Sequence, residues 1–434
     1  MIRHDYNIIL FCNVYKYNNR PVGLITLIVE HKLIHSGGLV GHIEDLAVDK
    51  EYRKMSIGKT LINIIKKDKK NFEIILLSAD ENYKELLNQA KFFKVKNLII
   101  TNTKSFNKIK KDKYSKKIKI YNNFDGLGKI LSKKIDYTMS SISGIQGLKP
   151  TVEIIKYTKK IAIANKEAII CGWDLIEKKL NKHKTKFVPV DSEHFSIWYA
   201  LQNIEKSLIE KIYLTASGGP FLDKSIRKLK KVNIKQVTNH PNWKMGKKIS
   251  TDSATMINKV FEVIEAKKIF KIPYNKLAII IHPKSYVHAI IKFRNGLTKI
   301  IVHDTNMKIP IFNSLYSSKK NINSKKLDFK ILNNLDFRDA NPKKFPIIKV
   351  LTMLTNNTSL FETILVSIND KFVELFLRNK IKFTDISKKM NKMLSLYSIK
   401  KYKKIKPKNI EEIIKMNTKI KDDIEYLIKK NRYV

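Results

Sequence analysis

Asp191 and Glu193, in the stretch VPVDSEH, place two carboxylates at the end of an apolar run. If that run is a strand, residues two apart point to one side and the two acids converge. A third acid, Glu262, lies in the stretch from His240 to Glu265, HPNWKMGKKISTDSATMINKVFEVIE. Together the three make an all-oxygen set of the kind preferred by Mg2+ or Mn2+. The stretch itself has two halves. His240 to Lys248 mixes histidine, tryptophan, methionine, glycine and lysine, which suits a loop closing over a phosphorylated ligand. Thr251, Asp252 and Ser253 then read as N-caps of an amphipathic helix, on which Asn258 and Glu262 share a face with Lys259 beside them. Upstream, Ser217 precedes Gly218 and Gly219, where backbone without side chains lets a phosphate come close. Each feature alone has a plainer reading: a solvated strand end, a capped surface helix, a structural histidine, a core tryptophan.

The elements that must position these residues alternate along most of the chain. Residues 7–14 and 22–30 read as a hairpin, LVGHIEDLAV as a third strand, and Ile57 to Lys67 as a helix. From Ser56 onward helix and strand alternate, as in a doubly wound nucleotide-binding domain, to the strand before Asn165. Beyond Asp328 the pattern turns helical. Ile410, Ile413, Ile414, Ile420, Ile424, Leu427 and Ile428 form one stripe, which Pro407 and Asn409 start. The fold class expected is α/β: a Rossmann-like domain with its first strands replaced, an α+β catalytic domain and a C-terminal helical domain. The boundaries expected are 1–58, 59–190, 191–330 and 331–434.

Composition fits a globular chain of two to three domains, with 434 residues, 43% hydrophobic and 29% charged. The net charge of +47 would suit a nucleic-acid binder. The lysines, however, are spread along the whole length in company with Ile and Asn, which points to compositional drift, and no specific nucleic-acid partner is expected. Cys12 and Cys171 form no CxxC pair and read as free thiols of a reducing compartment. With no apolar run of transmembrane length and no targeting segment visible, a cytoplasmic protein off the membrane is expected.

Two resemblances refine this. IVEHKLIHSGGLVGHIEDLAVDKEYR is similar to the core of the glucosamine-6-phosphate N-acetyltransferases, over about the first 58 residues. In that family an R-x-x-G-x-G loop holds the pyrophosphate of acetyl-CoA at a helix N-terminus. Here the loop reads Arg53-Lys54-Met55-Ser56-Ile57-Gly58. From residue 56 on, the motifs ANKE, PVDSEH, SGGPF and HPNWxMGxKIxxDSATMxNK closely resemble the 1-deoxy-D-xylulose 5-phosphate reductoisomerase family. That resemblance implies metal ligation by Asp191, Glu193 and Glu262. It implies substrate contacts by Lys166, Ser192, Glu193, Ser217, His240, Ser253, Asn258, Lys259 and Glu262, with Lys166, Glu193, His240 and Glu262 as the catalytic set. Cofactor contacts fall to Ser56, Ile57, Gly58, Asn82, Asn165, Glu167 and Gly246, with Trp243 covering the substrate and Met307 lining the nicotinamide side. The implied chemistry is a metal-assisted rearrangement of a ketose phosphate, then hydride reduction by NADPH, in a homodimer with Mn2+ or Mg2+.

Three departures from the family pattern bear on the cofactor. Of the fingerprint G-S-T-G-S-I-G only Ser56-Ile57-Gly58 remain. Glu81 stands where the family commonly has a lysine facing the 2′-phosphate of NADPH, which disfavours NADPH relative to NADH. Asn306 and Lys308 replace an Asp and an Arg around Met307. The rivals to the reductoisomerase reading are an acetyl-CoA-dependent transferase on glucosamine 6-phosphate, a catalytically weakened hybrid, and a non-catalytic basic protein or hybrid that binds ligand without turnover.

Overall fold

This computed structural model describes residues 57–430 apart from 244 and 317–319, and before residue 57 only the backbone of short strands between Leu10 and Asp45. The chain divides into two compact units. One comprises Met1–Ala168, Leu175–Asp191 and Asn306–Asn323; the other comprises Ile169–Asp174, Ser192–Thr305 and Ser324–Val434.

In the first unit the strands from Leu76 to Pro189 are parallel. Leu76–Ala79 pairs with Asn97–Ile100, and that strand with Lys119–Tyr121. A second parallel set runs Leu10–Phe11, Ile135–Ser140, Thr158–Ile163, Lys186–Pro189. Leu76–Ala79 and Ile135–Ser140 are buried at every residue, as expected of parallel strands covered on both faces. Three strand-to-helix junctions repeat one device. Asn82, Asn102 and Asn165 are N-caps whose side chains accept from the backbone N–H of Glu85, Ser105 and Ala168, at 3.4, 3.0 and 2.9 Å. They start the helices Tyr83–Phe93, Thr103–Ile109 and Lys166–His183. An asparagine oxygen satisfies donors that the first helical turn leaves open. The helix expected from Ile57 spans Ile57–Lys67. Most of the expected hairpin of 7–14 with 22–30 lies outside the described residues. Its described parts pair elsewhere: Leu10–Phe11 runs parallel to Met139 and Ser140, and Ile25–Val29 is antiparallel to His42–Asp45.

The second unit is built on a mixed sheet ordered Thr298–Val302, Val287–Phe293, Ile209–Ala216, Leu277–Ile281, Arg338–Asp339. Ile212, Leu214, Ala289 and Ile291 from the sheet share a core with Val263, Ala266 and Phe270 of helix Ile257–Phe270. Helix Leu360–Leu377 is buried almost all round, so it is central to its unit rather than amphipathic. Helix Ile410–Lys429 starts at Asn409, whose side chain accepts from Glu412 N at 2.9 Å, and it buries Ile413, Ile420 and Ile424 of the expected stripe.

Two local expectations are corrected. Thr251, Asp252 and Ser253 do not cap a helix; they lie inside helix Lys247–Thr255, whose N-cap is Gly246. Asp252 has better partners than a bare helix start, since Lys248 Nζ lies 2.8 Å away and Asn369 Nδ2 donates at 2.9 Å. The chain breaks at Met256, with φ +72°, before Ile257–Phe270 begins. Nor are Asp191 and Glu193 on an extended strand. The strand ends at Pro189, and Glu193 sits in the first turn of helix Ser192–Ala200.

Candidate active site

In the second unit, helix Ile257–Phe270 brings Asn258, Lys259 and Glu262 to one place. Asn258 Nδ2 donates to Glu262 Oε1, as the four-residue spacing predicts. Lys259 Nζ donates to Glu193 Oε1 at 2.6 Å and also pairs with Glu262. Glu193 and Glu262 offer oxygens within 4.8 Å of each other. Ser192 Oγ donates to the other oxygen of Glu193 at 2.6 Å. Burial alone would push the Glu193 carboxyl up, but the Lys259 ammonium holds it well below the usual carboxylate range. Burial likewise opposes the charge on Lys259, and the two carboxylates more than restore it. Two carboxylates thus converge on a cation position that an ammonium now holds.

Beside Ser217 the backbone is positioned for close approach. Gly218 and Gly219 have φ of +81° and +70°, and a Cβ on Gly219 would lie 3.0 Å from Ser253 O. Gly219 N donates to Ser217 Oγ at 3.1 Å. Ser217 Oγ is also 2.9 Å from His240 Nε2. The tautomer of His240 follows from its other nitrogen: Nδ1 accepts from the backbone N–H of Asn242 and Trp243, at 3.2 and 3.0 Å. Burial lowers the His240 pKa to about 4, so the ring is neutral near pH 7. Nε2 therefore carries the proton and donates to Ser217, whose own hydroxyl hydrogen is left to point at an anion. Asn242 holds the loop down by donating to Pro283 O at 2.5 Å and to Ser285 Oγ at 2.9 Å. Trp243 meets the ring of His288 edge to face, with centroids 6.3 Å apart. Gly246 is exposed and begins the next helix.

The first unit holds the other expected residues. Lys166 Nζ lies 2.6 Å from Asp191 Oδ2, and Asp191 precedes Glu193 by two residues of chain. Asn165 caps the helix that carries Lys166 and Glu167, and its Nδ2 donates to Gly144 O at 2.8 Å. Asn82 caps the helix after strand Leu76–Ala79, and Glu81 accepts from Asn102 Nδ2 at 3.2 Å. Met307 is the N-cap of helix Lys308–Leu315, and Asn306 Oδ1 accepts from Lys308 N at 3.0 Å. Ile57 and Gly58 open their helix; Ser56 lies outside the described residues.

Sequence reasoning missed the layer behind these groups. His194 is fully buried, with Nε2 2.8 Å from Glu262 O and Nδ1 3.5 Å from Glu265 Oε2. Its place in DSEH, directly after Glu193, was the available signal. His288 and His303 stack on each other, and no sequence spacing announces that contact.

A unit of parallel strands with capped helices and a unit with a buried carboxylate–ammonium cluster near a His- and Trp-bearing loop define a class: a Rossmann-type oxidoreductase with a separate substrate domain. Residues 55–172 match the 1-deoxy-D-xylulose 5-phosphate reductoisomerase family profile, 187–270 its C-terminal domain and 303–423 the DXP reductoisomerase C-terminal domain. A reductoisomerase of Pelagibacter ubique is 58% identical over 365 residues, covering 83% of this chain and 94% of that one. One of Wolbachia pipientis from Culex pipiens is 36% identical, over 76% and 85% of the two chains. Among solved structures, the Zymomonas mobilis reductoisomerase in complex with NADPH superposes with a TM-score of 0.76 at 28% identity, over 86% of this chain and 96% of that one. A reductoisomerase in complex with NADPH, fosmidomycin and magnesium superposes with 0.78 at 31% identity, over 86% and 96%. The chain belongs to the 1-deoxy-D-xylulose 5-phosphate reductoisomerase family, NADPH-dependent enzymes that combine isomerase and oxidoreductase activities.

Residues 2–87 also match the acetyltransferase (GNAT) family, and the two matches overlap over 55–87. The acetyltransferase match ends there, while the reductoisomerase matches continue to residue 423, so the transferase activity weighed from the N-terminal motif is set aside. Among the described residues no helix is long and apolar enough to cross a membrane.

Proposed function

We propose that this chain converts 1-deoxy-D-xylulose 5-phosphate to 2-C-methyl-D-erythritol 4-phosphate with NADPH and Mg2+ or Mn2+, a step toward isoprenoid precursors, in the cytoplasm and as a homodimer. The observation that carries the reading is the convergence on one cation position of Glu193, from helix Ser192–Ala200, and Glu262, from the helix that also bears Asn258 and Lys259. The fit to a divalent ion rests on donor chemistry: carboxylate oxygens in a largely buried place, one of them held ionised by its surroundings. Asp191, Glu193 and Glu262 would hold that ion, which when bound supplies Lewis-acid polarisation of the ketose oxygens.

The remaining roles belong to side chains. The Ser217 hydroxyl hydrogen, the Ser253 hydroxyl and the Asn258 amide bind the phosphate. Lys259 spends two N–H groups on carboxylates and keeps a third for an anion. His240 stays neutral and keeps the Ser217 hydroxyl aimed. Lys166, oriented by Asp191, and Ser192, through Glu193, fix the polyol end. Trp243 and its loop exclude water during hydride transfer. Asn82, Asn165, Glu167, Gly246 and the start of helix Ile57–Lys67 contact the nucleotide, with Met307 beside the nicotinamide.

The test is NADPH oxidation by the purified full chain with ketose phosphate and Mg2+ or Mn2+. Metal-dependent turnover supports the reading. Oxidation of neither NADPH nor NADH at saturating substrate overturns it. Gel filtration at micromolar concentration checks the dimer.

A further inference from the structure

We propose that His303 is a positioning residue for the loop bearing Trp243, acting through the ring of His288. This rests on the reading that the loop from His240 to Gly246 covers the phosphosugar. The imidazoles of His288 and His303 lie parallel, with centroids 3.5 Å apart and planes 10° off. His288 in turn meets Trp243 edge to face, at 79°. Three rings therefore form one series, from the residue after strand Thr298–Val302, through His288 on strand Val287–Phe293, to the loop.

Hydrogen bonds fix both imidazoles. His288 Nε2 is 3.2 Å from the carbonyl of His303 and donates to it. His303 Nδ1 donates to the carbonyl of Asp304 at 2.8 Å. Rotation of either ring would break one of these bonds as well as the stack. Burial holds both rings neutral, which removes the repulsion that two stacked cations would suffer. Edge-to-face contact between neutral rings is an arrangement favoured by aromatic pairs. His303 makes no hydrogen bond or ion pair with Glu193, Lys259 or Glu262, and the Trp243→Ala background separates its action through His288 from the longer-range electrostatic influence of Glu193. An irregularity in the antiparallel pairing accompanies the contact: Val287 pairs with Val302 and Ala289 with Ile301, so His288 is the extra residue between the two pairs, while His303 lies just past Val302, where its N–H donates to Tyr286 O at 3.3 Å.

The experiment compares the full chain with His303→Ala and His303→Phe, each alone and in a Trp243→Ala background. Steady-state NADPH oxidation with Mg2+ gives KM and kcat for the ketose phosphate. Acrylamide quenching of Trp243 without substrate is read as the difference from Trp243→Phe, which isolates it from the other two tryptophans. His303→Ala is expected to raise KM about threefold to tenfold with kcat changed less than about twofold, and to open Trp243 to quenching; an aromatic pair contributes on that scale. His303→Phe keeps the stack and should return both values to within about twofold of the parent. In the Trp243→Ala background His303→Ala should add less than about twofold, whereas a merely structural loss would persist at full size. Unchanged KM and quenching in His303→Ala, a Phe variant no better than Ala, or an undiminished effect without Trp243 would each overturn the proposal. His303→Gln takes the place of Ala if that variant does not fold. Quenching needs no turnover, so an inactive parent chain would sink the activity reading while the ring series is still decided.

Discussion

Replacing Lys259 with methionine keeps the stem of the side chain and removes the charge between Glu193 and Glu262. In the parent, the ammonium lies 2.6 Å from Glu193 and is almost wholly buried. Without it, two carboxylates whose oxygens approach within 4.8 Å face each other in a largely desolvated place. At an effective dielectric of about 20 their repulsion is about 3 kcal/mol. The alternative is to protonate one of them. For a carboxyl with an ordinary pKa near 4.5 that costs about 3 kcal/mol at pH 7, so neither route escapes the penalty. Removing one partner of a buried pair is worth about 3–5 kcal/mol by experience elsewhere, which agrees. In a cooperative unit of this size the loss corresponds to a fall in Tm of about 5–10 °C. A divalent cation should then do what the ammonium did. Held at a hundred times its Kd, it would return about 2.7 kcal/mol. The assay is thermal unfolding of parent and Lys259→Met in chelator and in Mg2+ or Mn2+. The expected result is a lower Tm for the variant in chelator and a larger metal-induced rise in the variant than in the parent. Equal Tm values in chelator, or equal metal responses, would refute the argument that these carboxylates share one cation position.

Other consequences can be checked separately. Gly219→Ala puts a Cβ at φ +70° and 3.0 Å from Ser253 O, both unfavourable, so stability should fall by about 1–3 kcal/mol and KM for the ketose phosphate should rise. A variant with parental Tm and KM would show that the close approach is dispensable. His240 binds its proton with a pKa of about 4 when folded and about 6.5 when unfolded, so between those values the unfolded chain carries more protons. The stability this contributes is present above pH 6.5 and is lost as pH falls toward 4, by up to about 3 kcal/mol. His240→Phe should flatten that part of the pH–Tm curve, and an unaltered slope would count against a buried neutral imidazole. Glu81→Lys should tighten NADPH by about thirtyfold while leaving NADH nearly unchanged, on the scale of a change of two unit charges at 4 Å in water. Fluorescence titration of both nucleotides decides it, and equal shifts for the two would remove Glu81 from the 2′-phosphate.

What the sequence revealed about the site divides along the reach of each interaction. Asn258, Lys259 and Glu262 were legible as one group because helical spacing places them together before any tertiary contact forms. Asn409 was legible as a helix start for the same reason, since a cap bonds its own next turn. The reading failed where a distant partner outweighed a local preference. Thr251, Asp252 and Ser253 have the composition of a cap, yet Asp252 is taken by Asn369, 117 positions away, and by Lys248, which also reaches Asp370 at 3.3 Å. With those partners available, the helix can begin at Gly246 and carry Asp252 in its interior. Glu193 is a second case: two acids spaced for an extended chain lie instead across a strand end and a helix start.

The stacked histidines show a third kind of failure. His288 is the extra residue at an irregularity between the pairs Val287–Val302 and Ala289–Ile301, and His303 follows the end of the partner strand, so their contact depends on how the two strands pair. No periodicity along one segment encodes a contact fixed by the pairing of two. The nucleotide side shows the reverse case, in which a fingerprint is lost from the sequence but the surrounding architecture persists. The glycine-rich turn has shrunk to Ser56-Ile57-Gly58, yet the helix still starts at Ile57, and the strands Leu76–Ala79 and Thr158–Ile163 still lead into helices capped by Asn82 and Asn165. Leu10–Phe11 runs parallel to Met139 and Ser140 at the edge of the second parallel set, although its own sequence belongs to the acetyltransferase-like segment. A parallel edge demands hydrogen-bonding backbone and apolar side chains rather than any particular sequence. Strand pairing therefore tolerates a change of sequence family at this edge more readily than pyrophosphate binding tolerates a Cβ in place of glycine.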